Sequence, residues 1–161
     1  MDGSVSAIYR ARRTTKLTRP LFGSELPAGF PSPAEDYVEE RIDLNRDLIF
    51  HPSYTYYARI AGDSMMGEGL NDGCIVAFDR KLEAYDGDII VARINTSDLC
   101  CKIYRDGHDD GGRIRLEPAN PDYSPILISE EMELQIVGLV TFSVTWHARR
   151  YGRRLRLNRL Q

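Results

Sequence analysis

Three cysteines, three histidines and three lysines are few for a chain of 161 residues, and their scarcity excludes whole classes of chemistry. Cys74, Cys100 and Cys101 are an odd set without C-x-x-C spacing, and the adjacent pair points to opposite faces of a strand. Neither a zinc site nor a disulfide framework is expected, no cofactor is implied, and the thiols read as small buried side chains in a reducing compartment. His51, His108 and His147 stand far apart, H-E-x-x-H and G-x-S-x-G are both absent, and no histidine has a carboxylate partner visible from spacing. No run approaches the roughly 18 apolar residues of a membrane span. The opening "MDGSVSAIYRARRTTKLTRPLF" is basic but has no continuous apolar core, so it is not a secretory signal, and a cytoplasmic protein is expected.

What is present fits one globular domain with tails, at 42% hydrophobic and 28% charged residues. The formal charge of −3 is unevenly spread. Arg10, Arg12, Arg13, Lys16 and Arg19 crowd the front, six arginines from Arg149 to Arg159 crowd the end, and the middle is acidic. Basic ends on an acidic body suit nucleic acid or an acidic partner, and equally suit solvated tails. Residues 1–29 show no sustained periodicity and close on "LPAGFPSP", which predicts a flexible, extended N-terminal arm. Residues 30–147 form the predicted domain, and 148–161 a basic C-terminal tail.

Within "SPAEDYVEERIDLNRDLI", Ser32 as cap, Pro33 at the first helical position and Glu35 three residues after the cap predict one short helix. After His51 the pattern becomes short β runs: "YTYYARI", "CIVAFD", "DIIVARI", "LCCKIY", "RIRLEP" and "ELQIVGLVTFSVTW". Gly- and Asp-rich turns separate them, so a mainly β sandwich or barrel is predicted.

One turn, "AGDSMMGEGLNDG", holds Ser64 between a strand and two methionines. That placement serves a nucleophile and an ordinary turn alike. A nucleophilic serine needs a base. Lys16 lies in the arm and Lys81 in a polar turn, whereas Lys102 is the lone charge inside "LCCKIY". Alternation puts Leu99, Cys101 and Ile103 on one face of that strand and Cys100, Lys102 and Tyr104 on the other. Were the second face covered, desolvation would disfavour an ammonium there and favour an amine able to take a proton. A strand lysine that snorkels to water is the other reading.

The ordered series "PLF", "AGFPSPAEDYVEERIDLN", "GDSM", "GLNDG", "DGDIIVA", the lysine of "CCKIY", "NPDYSPI" and "VGLV" resembles the UmuD subfamily of the LexA-like self-cleaving serine peptidases, over roughly residues 20 to 145. The resemblance implies a β-clip domain of the LexA and signal-peptidase type. It also implies Ser64 as nucleophile, Lys102 as general base, and backbone N–H groups of Asp63 and Ser64 as oxyanion hole. Self-cleavage would fall between Ala28 and Gly29. By the same resemblance a RecA filament on single-stranded DNA promotes the cut, and the trimmed homodimer joins a UmuC-type Y-family polymerase in translesion synthesis. Direct DNA contact would come only through the arginine-rich tail. Three features depart from the family pattern: Cys74 in "NDGC", a slightly longer arm, and the arginine-rich end. A LexA- or phage-type regulator without its own helix-turn-helix is the rival reading, because the residues before Gly29 hold no pair of amphipathic helices. A signal peptidase would need an anchor, and a purely structural dimer would have no use for Ser64 and Lys102.

Overall fold

A computed structural model of the chain describes residues 5–10, 16, 18–22, 38–108 and 111–147. The Ala28–Gly29 bond, the helix-start residues Ser32, Pro33 and Glu35, and the basic tail 148–161 lie outside the described residues. The strands in chain order are β1 (Val5–Arg10), β2 (Arg19–Phe22), β3 (Val38–Ile42), β4 (Thr55–Ile60), β5 (Ile75–Asp79), β6 (Ile89–Ile94), β7 (Cys100–Arg105), β8 (Arg115–Glu117), β9 (Ile126–Leu127) and β10 (Leu134–Val144). The mainly β fold expected from the sequence is observed. Eight strands form one antiparallel sheet in the order β1-β4-β5-β10-β6-β7-β8-β9, and β2 pairs with β3 apart from it. No helix of the described residues is long and apolar enough to cross a membrane.

Alternation along the central strands makes two cores, one on each face. Ala58, Ile60, Val76, Phe78, Val91 and Cys101 pack together with Met65, Leu70 and Cys74 from the loop after β4. Ile90, Ala92 and Leu116 form the second, smaller cluster. Residues 90, 91 and 92 thus go to opposite sides in turn, as a period of two requires. Strand β10 stitches the sheet: its first half pairs with β6 and its second half with β5, with a register shift in each ladder.

The helix falls elsewhere than predicted. Residues 38–42, which lie inside the stretch predicted as that helix, are strand β3 paired antiparallel with β2. A single helical turn, α1 (Leu44–Asp47), follows, capped by Asp43 and not by Ser32. The Asp43 carboxylate accepts from the Asn45 N–H at 3.1 Å, and the Asp43 N–H donates to Asp47 at 2.8 Å. This reciprocal cap starts the turn, while pairing with a distant strand overrides helical propensity just before it. Strands β1 and β2 lie in the segment predicted as an arm.

Gly138 sits where β10 crosses β5. A methyl group there would lie 2.8 Å from a Phe78 ring carbon and 2.9 Å from the Asp79 carbonyl oxygen. Both belong to a fully buried stretch of β5, so the neighbours have no room to yield. Gly138→Ala should therefore lower unfolding stability by about 1–3 kcal/mol in a urea titration, the usual cost of overpacking.

Candidate active site

The loop between β4 and β5 carries Ser64, then a short 3-10 turn at Met66–Glu68 that ends on Gly69 in the left-handed conformation. Lys102 reaches it from the middle of β7. Its Nζ donates to Ser64 Oγ at 2.8 Å, across 38 residues of sequence. Ser64 is fully buried and Lys102 is 2% exposed. Lys102 pairs in register with Ile90 and so leaves the strand on the side of Cys100 and Tyr104, the face that alternation assigned to it. That face is covered by the second core, so the Lys102 side chain has almost no access to water. Among the described residues no buried side-chain polar atom lacks a hydrogen-bond partner.

A second loop, after β8, grips the serine turn. The Ala119 N–H donates to the Ser64 carbonyl at 2.8 Å, and the Gly67 N–H donates back to the Ala119 carbonyl at 2.7 Å. Any side chain at Gly67 would collide with that carbonyl oxygen. Asn120, 5% exposed, donates from Nδ2 to the Asp63 carbonyl at 3.2 Å, and the Met66 N–H donates to the same oxygen at 3.1 Å. In a trans peptide the C=O and N–H point in opposite directions. Holding the Asp63 carbonyl therefore also aims the Ser64 N–H, one of the two groups assigned to an oxyanion hole. The Tyr123 hydroxyl donates to Asp63 Oδ1 at 2.6 Å.

Asn120 and Tyr123 were missed as site residues by sequence reasoning, although both lie in "NPDYSPI". Nothing in their spacing points to a serine turn 57 residues away; only the fold brings them there. His51 has the carboxylate partner that spacing did not reveal, with Nδ1 2.8 Å from Asp79 Oδ2. The group bonded to Ser64 is Lys102, not that imidazole. His108 and His147 are exposed. Burial pushes the Cys101 thiol up to about 12, so it stays neutral beside Lys102.

Residues 20–141 match the family described as Peptidase S24-like. SamA of Salmonella typhimurium is 42% identical over 124 residues, covering 77% of this chain and 83% of that protein. ImpA of Escherichia coli is 35% identical over 139 residues, 86% of this chain and 88% of that protein. LexA repressor 2 of Xanthomonas oryzae pv. oryzae is 35% identical over 134 residues, 83% of this chain and 60% of that protein. Ser64, Lys102, Asn120 and Tyr123 fall inside the family match, as do Ala28 and Gly29.

The Tyr123 hydroxyl holds the Asp63 carboxyl below the usual carboxylate range, against a weaker opposing effect of desolvation. Tyr123→Phe removes that donor and leaves the ring. The Asp63 carboxyl should then titrate at higher pH than in the parent chain, read by carboxyl-carbon NMR; an unmoved titration would take the hydroxyl out of this role.

Proposed function

The chain belongs to the S24-like peptidase family, the LexA/UmuD group of self-cleaving proteins, and on that premise we propose that it cuts its own backbone once, between Ala28 and Gly29. Ser64 is the nucleophile and Lys102 the general base. The observation that carries the reading is the 2.8 Å contact from Lys102 Nζ to Ser64 Oγ in a buried setting. An amine at that distance can take the hydroxyl proton as oxygen attacks the Ala28 carbonyl carbon. The backbone N–H groups of Asp63 and Ser64 receive the negative charge that develops on the carbonyl oxygen. Collapse breaks the C–N bond, the Gly29 nitrogen leaves with the proton, and water then hydrolyses the Ala28 ester. Asn120 and the Ala119 N–H keep the peptide planes on both sides of Ser64 in place during these steps.

The domain limits follow from this chemistry: residues 1–29 carry the scissile bond, 30–147 form the peptidase and dimerisation domain, and 148–161 add a basic tail. In the cell the reading makes this an SOS mutagenesis protein. A RecA filament on single-stranded DNA stimulates the cut, and the processed homodimer serves a UmuC-type polymerase in translesion synthesis. The identities support that choice over a LexA-type regulator: SamA is 42% identical over 124 residues, against 35% over 134 for LexA repressor 2.

Incubation of the purified protein with and without RecA, ATP and single-stranded DNA, followed by intact-mass analysis, tests bond, chemistry and partner together. A single product lacking residues 1–28 is expected, faster with the filament. Ser64→Ala and Lys102→Ala should each slow cutting by about three orders of magnitude or more with the fold retained. Unchanged cutting in either variant would remove that residue from the mechanism.

A further inference from the structure

We propose that strand β1 is a detachable stopper on the outer edge of β4, and that this edge, once vacated, takes up an extended antiparallel segment of a partner protein. β1 is the end strand of the eight-stranded sheet. It pairs with β4 from Val5 opposite Ile60 to Arg10 opposite Tyr56, and the Val5 N–H also donates to the Leu99 carbonyl at 2.9 Å. Without β1, the edge of β4 would present a row of unpaired N–H and C=O groups, the template on which strand addition works.

Side chains make the edge selective. Val5 packs against the larger core. Tyr9 stands opposite Tyr57 and forms one wall of an apolar cavity of about 360 Å³ with Leu44, Leu48, Phe142 and Val144. Removing β1 therefore bares a polar edge and opens an apolar groove beside it. The segment that fits has the chemistry β1 itself displays: an aliphatic residue for the core and, four positions on, an aromatic ring for the groove.

Position in the chain supplies the release. β1 lies before Ala28–Gly29 and β4 after it, and the β2–β3 ladder is divided in the same way. While the chain is whole, both ladders are closed by a tether that keeps the strands at an effective concentration on the order of millimolar. Once it is cut, they compete at the micromolar concentration of the free fragment. This release step rests on the self-cleavage proposed above; the ability of the β4 edge to take a strand does not. Cutting also removes the β1 sequence from every processed copy, so a processed partner copy cannot refill the edge with its own β1. β1 further lies outside residues 20–141 that match the family, whereas β4 lies within them.

The test is made on the full chain carrying Ser64→Ala, so that self-cleavage plays no part. Neighbouring strand residues point their N–H groups alternately toward and away from the partner strand. One of Ala7→Pro and Ile8→Pro must therefore delete a ladder bond. In that variant hydrogen exchange of residues 55–60 should speed up at least tenfold. A labelled peptide of residues 4–11 (SVSAIYRA) should bind it at least tenfold more tightly than the parent and restore protection. The same peptide carrying Val5→Asp and Tyr9→Ser should not.

A second arm avoids any folding defect: a site for a sequence-specific protease placed after Arg12 lets β1 be severed from the folded protein. Departure of the fragment on gel filtration, with peptide capture afterwards, supports the stopper. A fragment that stays bound at micromolar concentration, unchanged exchange in both proline variants, or equal peptide affinity overturns it. Self-association through the opened edge in place of peptide capture overturns the assignment to a different partner. Absence of cutting in the chain with Ser64 intact would instead overturn the self-cleavage reading and leave these arms standing.

Discussion

One buried hydrogen bond, from Lys102 to Ser64, sets the terms for the rest of the structure. An amine on a central strand and a hydroxyl on a loop are both polar, and both are removed from water here. Each is tolerable because the other is present at bonding distance. Two elements must then be held in constant relation: β7 in the sheet, and a fourteen-residue loop between β4 and β5 that has little regular structure of its own. Strand pairing fixes the first, since β7 pairs with β6 over residues 100–103 and with β8 over 103–105. The loop needs other means.

Those means are an apolar anchor and a polar clamp. Met65, Leu70 and Cys74 sink from the loop into the larger core and fix its position at three points. The backbone around Ser64 is then fixed by Ala119 and Asn120. Side chain and main chain of the 119–123 loop thereby determine where the Ser64 hydroxyl and the Ser64 N–H point. The close approach excludes a β-carbon at residue 67, so the second glycine of "AGDSMMGEG" is a packing requirement and not a turn signal.

Legibility from sequence followed the range of the interactions. The six β runs after His51 were readable because alternation is local, and the same alternation placed Lys102 on the face opposite Cys101. The helix was misplaced because Val38 and Ile42 share spacing with a helical stripe while their actual partner is a strand far upstream. β1 and β2 escaped notice because "VSAIYR" and "RPLF" are short and gain order only from edges formed elsewhere in the chain. For Ser64 and Lys102, composition narrowed the choice to three lysines, and resemblance to a known family did the rest. Asn120, Tyr123 and the His51–Asp79 pair could not be reached in that way, because their roles exist only as contacts across the fold.

Burial of the serine also constrains what kind of peptidase such a site can be. A hydroxyl with no exposed surface is not offered to passing peptides, and a segment that reaches it must displace whatever excludes water. For a free substrate at micromolar concentration that opening is paid for again at each encounter. A scissile bond in the same chain arrives with its translational entropy already spent, at an effective concentration that external peptides do not match. The arrangement that hides Ser64 and Lys102 from solvent thus favours a tethered substrate over all others. On the proposed cut, specificity for one bond then needs no deep side-chain pocket, only a tethered segment in which a small residue is followed by glycine.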